Sequence, residues 1–264
     1  MPTVSEICGR IKEFAPPVLA ESWDNTGLLL GREGLEVQRL MTCLTLTEAV
    51  AREAVDRGVR LIVTHHPLFF RAVKAVNEST AEGRVVLTLL EHGIAVYSPH
   101  TSFDSAIQGI NQLLAECLGL VEIVPLRPFR SDLQVGAGRA GVLTVGIRLE
   151  DFLKRVSQVT GAGWLEFCPA GVAEVRRVGI GCGAGGEFLA DAVRAGCDTF
   201  VTGETRFHGV LEAESAGMHL ILVGHYSSER PGVELLAKRI AEWFPGLQAS
   251  FASQAEQNPL KLWA

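Results

Sequence analysis

The sequence has no run of about eighteen apolar residues, the length at which a membrane-spanning helix becomes possible, so a helical span is excluded. The start, Met1-Pro2-Thr3, lacks a basic patch followed by an apolar stretch, and a secretory leader is not expected. The cysteines Cys8, Cys43, Cys117, Cys168, Cys182 and Cys197 include no Cys-x-x-Cys pair. That absence removes the commonest zinc and dithiol signatures and reads as small buried hydrophobes of a reducing cytoplasm. Positive charge is also short: 24 Lys and Arg stand against 30 Asp and Glu, a net charge of −6. A sequence-independent nucleic-acid binder would need the opposite balance, so no nucleic acid is expected as partner. A small anionic ligand is still admissible.

What is present is a globular composition, with 47% hydrophobic residues in 264. Disorder is excluded, and the length allows one large domain or two modest ones without a metal or disulfide staple. Short β-branched runs alternate with segments of helical period, the sign of an α/β fold. Helices are expected over Val4 to Phe14, Thr47 to Arg57, Ala81 to His92 and Ala106 to Leu118, with strands at Arg39 to Leu46, Arg60 to Thr64 and Ile94 to Ser98. The same logic recurs later. Strands at Val175 to Ile180, Thr199 to Thr202, His219 to Val223 and Leu247 to Phe251 alternate with helices, the last of them Glu229 to Trp243. The pattern predicts a first α/β lobe over residues 1–124, a connecting segment with one strand and one helix over 125–171, and a second lobe over 172–264.

Four histidines fall just after predicted strands: His65, His66, His100 and His225. In open α/β sheets ligands bind at that edge, outside the carboxyl ends of the strands. Asp104 lies four residues after His100, and Glu229 four after His225. Neighbouring side chains in a regular strand point to opposite faces, but Pro67 turns the chain after His65-His66 and frees both rings for one cavity. Three imidazoles (His65, His66, His225) and two carboxylates (Asp104, Glu229) form a mixed nitrogen and oxygen set. It suits Zn²⁺, Fe²⁺, Mn²⁺, Co²⁺ or Ni²⁺ and is too rich in nitrogen for a dedicated Ca²⁺ site. Shared between two ions, five ligands leave coordination positions open, as catalysis requires.

The stretches Glu21-Ser22-Trp23-Asp24-Asn25-Thr26-Gly27-Leu28, Thr64-His65-His66-Pro67-Leu68, His100-Thr101-Ser102-Phe103-Asp104 and Gly224-His225-Tyr226-Ser227-Ser228-Glu229-Arg230 occur in this order. In them the sequence resembles the Ngg-interacting-factor-three-like family, whose members carry the name type-two GTP cyclohydrolase-like. The resemblance implies two interlocked α/β/α lobes, a cleft between them holding two divalent metals per chain, and a ring-shaped homohexamer. By the same resemblance the metal ligands fall on His65, His66, Asp104, His225 and Glu229, with Glu229 bridging both ions. The chain departs from the family in having Thr45 where an Asp is frequent and Ser102 where Asn is common. It also lacks the domain that longer members insert between the lobes.

The implied function is a metal-dependent hydrolase of a nucleotide-like or other anionic small molecule, in the cytoplasm and away from membranes. Glu204 and His208 are the candidate proton-transfer residues, and Arg71 and Arg230 the candidates for a phosphate tail. The competing class is a non-catalytic metal-binding or regulatory protein. Two glycine-rich stretches need a reading of their own. Gly136-Ala137-Gly138-Arg139-Ala140-Gly141 fits the dinucleotide fingerprint as a string, but a strand follows it where the fingerprint needs a helix. Gly181 to Gly186 has strand before and helix after, and reads as a tight turn rather than an anion cradle. Asp24-Asn25 is expected to hold a turn near the cleft. His92 ends a helix and His219 starts a strand, and no chemistry is expected from either.

Overall fold

In the computed structural model, which describes residues 1–264 apart from Ser131, Val172, Leu262 and Ala264, helix formation begins as the sequence dictates. Thr3 and Glu6 form a reciprocal capping box at the start of helix Val4–Phe14. Its buried residues Val4, Ile7, Cys8 and Ile11 recur at helical spacing and make one apolar face. Pro16 and Pro17 follow and cannot continue the helix.

This helix belongs to a first compact unit formed by Met1–Phe103 and Val233–Pro259. Its sheet runs in the order Gly27–Leu30, Ala95–Ser98, Leu61–Thr64, Arg39–Cys43, Ala249–Ala252. All neighbours pair in parallel except Gly27–Leu30, which is antiparallel to Ala95–Ser98. Met41, Ile62, Val96 and Leu89, all buried, anchor its core against helices Glu48–Asp56 and Ala81–Glu91. Near-continuous burial along Leu61–Thr64 and Ala95–Ser98 is what a parallel sheet covered on both faces requires.

The second unit is built on Asp104–Gly232. Its sheet runs Val121–Val124, Arg139–Ile147, Val175–Gly181, Thr199–Thr202, His219–Leu222, Glu166–Cys168. The trio Val175–Gly181, Thr199–Thr202 and His219–Leu222 is parallel, and antiparallel strands flank it. Val178, Ile180, Val201 and Ile221 pack with Phe152 and Val156 of helix Leu149–Thr160.

The fold is mixed α/β, as the periodicity predicts, but the chain is divided differently. The final strand lies beside Arg39–Cys43, with Ala249 opposite Arg39, and so belongs to the first sheet rather than to a lobe over 172–264. Two ends of that expected lobe, Val172 and Ala264, lie outside the described residues. Among its described residues the segment 125–171 carries four strands and one helix instead of one of each. The three strands not foreseen, Arg127–Phe129, Asp132–Ala137 and Glu166–Cys168, are short and hold a single β-branched residue, Val135, so they lack the residues by which strands are recognised. The expected helix Ala106 to Leu118 is the shorter Ile110–Cys117, with Gly109 at its N-cap position, and a separate short helix, His100–Ser105, precedes it. Cys8, Cys43 and Cys197 are buried, Cys168 and Cys182 half-buried, and Cys117 exposed, so the burial expected of the cysteines fails at Cys117.

Gly136 to Gly141 has a structural purpose. Arg139 is fully buried and donates to the carbonyls of Gly136 (2.6 Å), Gly138 (2.7 Å) and Ala106 (2.7 Å) and to Gln112 Oε1 (2.9 Å). Gly136 sits at φ +145°, where a Cβ would stand 2.1 Å from the Arg127 carbonyl oxygen. The glycines allow that approach, and the guanidinium ties the turn down. Among the described residues no helix is long and apolar enough to cross a membrane.

Candidate metal centre

In the first unit the parallel strands bring their carboxyl ends to one edge, and the chemistry gathers there. Thr45 follows Arg39–Cys43, His65 and His66 follow Leu61–Thr64, and His100 follows Ala95–Ser98. Backbone bonds extend the sheet past its strands: His65 N–H donates to Cys43 O (2.9 Å) and His66 N–H to Leu44 O (2.8 Å). Ser98 Oγ donates to the His65 carbonyl (2.7 Å) and Thr64 Oγ1 to that of His66 (3.0 Å). The two histidines are therefore held at both ends of their peptide units.

Their rings face each other's neighbourhood, as the turn at Pro67 predicts. Ring centroids are 5.2 Å apart for His65 and His66, 5.2 Å for His65 and His100, and 5.8 Å for His66 and His100. One ligand atom from each of the three lies within 4.8 Å of the others. His65 and His100 are buried and His66 half-buried. Outer partners fix two of the rings. Thr45 Oγ1 is 2.7 Å from His66 Nδ1, and Asp24 Oδ1 is 2.7 Å from His100 Nδ1. Burial alone would raise the Asp24 carboxyl, but hydrogen bonds from His100 and Thr101 outweigh it and hold the group below its ordinary range.

In the second unit the same rule operates at the ends of the central parallel strands. Val175–Gly181 leads into Cys182 and Gly183, Thr199–Thr202 into Gly203 and Glu204, and His219–Leu222 into Gly224 and His225. The last helix begins at His225, not at Glu229, and runs through Pro231 to Trp243. His225 and Glu229 are thus four apart on one helical face, with Nε2 and Oε2 3.1 Å apart. The other ring nitrogen, Nδ1, is 3.0 Å from Glu204 Oε1. The hydrogen bond to Glu229 pushes the His225 pKa up to about 9, against the opposing effect of burial and with help from Glu204.

Asp104 and Glu229 share an electrostatic neighbourhood. Burial drives the Cys182 thiol well above its ordinary value, and the charges of Glu229 and Asp104 add to the effect. Gly183 at φ +62° completes this wall, because a Cβ there would stand 2.0 Å from Glu229 Oε1 and 3.2 Å from His225 Nε2. The Gly181 to Gly186 loop spends its leading amides on the protein itself. Cys182 N–H donates to Asn111 Oδ1 (2.8 Å) and Gly183 N–H to Ser228 Oγ (2.9 Å).

Of the two candidate proton-transfer residues, Glu204 stands directly on the His225 ring. His208 is exposed in helix Phe207–Ser215, its ring 6.1 Å from that of Phe207. His92 caps helix Ala81–Glu91, and His219 Nδ1 accepts from the Ala170 amide (2.7 Å). Neither faces a metal cluster among the described residues.

The ordered motifs, the fold and the His and Glu clusters meet in one comparison. The sequence pattern of Duf34/NIF3, NGG1p interacting factor 3, matches residues 2–259. The chain belongs to the Duf34/NIF3 family. A "GTP cyclohydrolase 1 type 2 homolog" from Streptomyces coelicolor is 36% identical, covering 92% of this chain and 87% of that protein. A "Protein NIF3 homolog" from Schizosaccharomyces pombe is 33% identical, covering 95% and 94%. A crystal structure of a Staphylococcus aureus hypothetical protein superposes with a TM-score of 0.88 at 26% identity, covering 99% of both chains.

Within this NIF3 chain, sequence reasoning missed Asp24 and Thr45 as partners of ring nitrogens. Both lie far from their histidines in the chain, Asp24 by 76 positions and Thr45 by 21.

Proposed function

We propose that the chain is a dinuclear divalent-metal-binding protein acting as a metal-dependent hydrolase on a nucleotide-like or other anionic small molecule. His65, His66, Asp104, His225 and Glu229 would hold the ions, with Glu229 as the bridging carboxylate. One observation carries the reading. The first unit gathers His65, His66 and His100 at the carboxyl edge of its parallel strands, the second sets His225 against Glu229 at the same edge of its own, and Thr45 and Glu204 already hold a ring nitrogen in each. A bound divalent ion supplies a Lewis acid and lowers the pKa of a water ligand from 15.7 to roughly 7.

The chain's own residues supply the rest. Thr45 and Glu204 each hold a ring nitrogen of a ligand histidine, fixing which nitrogen is offered outward. Glu204 is exposed and is placed to take or return a proton at its Oε2 atom. Beside His66 lies a pocket of about 520 Å³ lined by Leu46, Pro67, Leu68, Phe70 and Val85, with Thr45, Glu48 and Glu82 as polar members. A second, of about 390 Å³, shares Phe70 and adds Asn25 and Arg71. The apolar walls suit a base or acyl group, and Arg71 suits its anionic end. We further propose a cytoplasmic homohexamer, on the strength of the family resemblance.

The test is metal analysis of protein purified without chelator, then turnover of a panel of phosphorylated and acylated compounds, GTP included. Metal-dependent hydrolysis that disappears in Glu229→Gln supports the reading. About two ions bound with no turnover of any compound would leave a metal-binding partner protein.

A further inference from the structure

In the first unit, the pairing of Arg39–Cys43 with Ala249–Ala252 continues one step past the strands, where Ser253 N–H donates to the Thr42 carbonyl (2.7 Å). Beyond that step the carboxylate of Glu256 takes over. Leu44 N–H donates to its Oε2 (2.8 Å) and Thr45 N–H to its Oε1 (2.5 Å), across 212 and 211 positions of chain. The segment that carries Glu256 is itself tied down. Gln254 and Ala255 donate their amides to Glu53 (3.0 Å each), and Glu256 N–H donates to Ser253 Oγ (3.3 Å).

Glu53 already secures the segment after the last strand, so closing the sheet edge leaves the two bonds of Glu256 unexplained. What they hold is the start of the loop that supports His66, since Thr45 Oγ1 is 2.7 Å from His66 Nδ1. Thr45 is exposed, and water competes for its hydroxyl. A β-branched side chain has few rotamers, so aiming that hydroxyl comes down to fixing the backbone of residue 45. A carboxylate makes strong bonds to backbone amides, and two at once from adjacent residues define the orientation of both peptide planes. The main chain of His66 is held separately, its N–H on the Leu44 carbonyl (2.8 Å) and its carbonyl by the Thr64 hydroxyl (3.0 Å). The ring is what remains to be set.

We propose that Glu256 is a positioning residue for His66, acting through Thr45. Its carboxylate fixes the Leu44 and Thr45 peptides, the Thr45 hydroxyl then meets Nδ1, and the rotation of the ring is set. All of these residues lie in the first unit. The functional weight of the inference rests on the reading of His66 as a metal ligand; the positioning itself does not. The segment that follows the last strand is thereby part of how the site is built.

The experiment uses the full chain with isotope-labelled histidine, observed by NMR first without metal. The His66 ring signals, identified by their loss in His66→Gln, are compared among wild type, Glu256→Gln, Thr45→Val and the double variant. Zn²⁺ affinities of the same proteins follow from calorimetric titration, and urea unfolding establishes that each is folded. Glu256→Gln keeps the size but offers one acceptor oxygen where two amides need one each. The expected result is a displaced His66 ring signal and a Zn²⁺ affinity lower by about tenfold, the lower end of the range for support outside the ligands. Thr45→Val is expected to do the same. Adding Glu256→Gln to it should then change the affinity by less than about twofold, because the hydroxyl through which Glu256 acts is already gone. Where Glu256→Gln fails to fold, Glu256→Asp, which keeps the charge and shortens the reach, takes its place with the same expectations. Wild-type ring signals in the Glu256 variant overturn the inference. Losses that multiply in the double variant also overturn it, since Glu256 would then act on the fold independently of Thr45. If wild type binds no Zn²⁺ while the ring signal still moves in the Glu256 variant, the positioning stands and the metal-binding reading falls.

Discussion

Gly183 and Glu229 are packed so closely that a Cβ on the glycine would stand 2.0 Å from the carboxylate oxygen Oε1. The contact joins the loop after strand Val175–Gly181 to the first turns of helix His225–Trp243. It fixes where the carboxylate can go: its other oxygen reaches His225 Nε2 at 3.1 Å.

Gly183→Ala tests that constraint. A methyl group must displace Glu229, and the left-handed backbone at φ +62° costs an Ala about 1–2 kcal/mol more. The expected outcome is a modestly destabilised, folded protein whose metal affinity falls about 10–100-fold, the range seen when support of a ligand is lost. Calorimetric titration with Zn²⁺ reads it directly. Wild-type affinity in this variant would show that Glu229 can move without consequence.

Glu229→Gln removes the charge and keeps the size. The bridging role proposed for Glu229 needs a negative charge that an amide cannot supply, so the variant is expected to fold and to lose at least one ion per chain. His92→Gln is the matching control, because His92 is exposed and its Nδ1 is engaged with the Thr88 carbonyl at 2.8 Å. Elemental analysis of the two proteins side by side decides whether the assignment at Glu229 stands.

Much of this arrangement could be read along the chain because it is local. Thr3 and Glu6 announce a helix, and Thr47 and Thr80 cap the helices that follow them. His65, His66 and His225 each follow a run of β-branched or leucine residues, which places them at strand ends. What escaped depends on distance. Nothing near Asp24 says that it will meet His100, and nothing in Ala249 to Ala252 says that it will pair with Arg39 to Cys43. The helix start at His225 escaped for another reason. Pro231 favours the first turn of a helix, so the pattern places the start later than it is.

Arg139 yields a prediction about stability alone. Its guanidinium is buried, and burial lowers its pKa to about 10 against a weak opposing pull from Glu116. Replacing it with Met leaves the carbonyls of Gly136, Gly138 and Ala106 without their donor in a dry interior. At about 1–3 kcal/mol for each stranded group, a loss of roughly 3 kcal/mol or more is expected. Urea unfolding of wild type and Arg139→Met measures it, and a loss below about 1 kcal/mol would mean that water or a backbone shift satisfies the carbonyls.

The last prediction concerns acid. Glu53, in helix Glu48–Asp56, receives the Ser253 hydroxyl (2.5 Å) and the amides of Gln254 (3.0 Å) and Ala255 (3.0 Å), and pairs with Arg57 (2.9 Å). Burial would raise its carboxyl, but these bonds outweigh burial and hold it below the ordinary value of 4.5. A depressed carboxyl binds its proton more readily in the unfolded chain than in the folded one. Its contribution is therefore whole above the ordinary value and is lost as pH falls through the lowered one. The clasp secures the chain just after strand Ala249–Ala252, so its loss loosens the edge of the first sheet. Glu53→Gln is expected to be less stable than wild type by about 1–3 kcal/mol at pH 7, the scale of hydrogen bonds to a charged group. The gap should narrow toward zero in acid, where wild type also carries a neutral side chain. Urea unfolding of both proteins at a series of pH values from neutral to strongly acid measures the gap. A difference that stays constant across the series would trace the effect to shape, and the carboxylate charge would then have no part in holding the last strand.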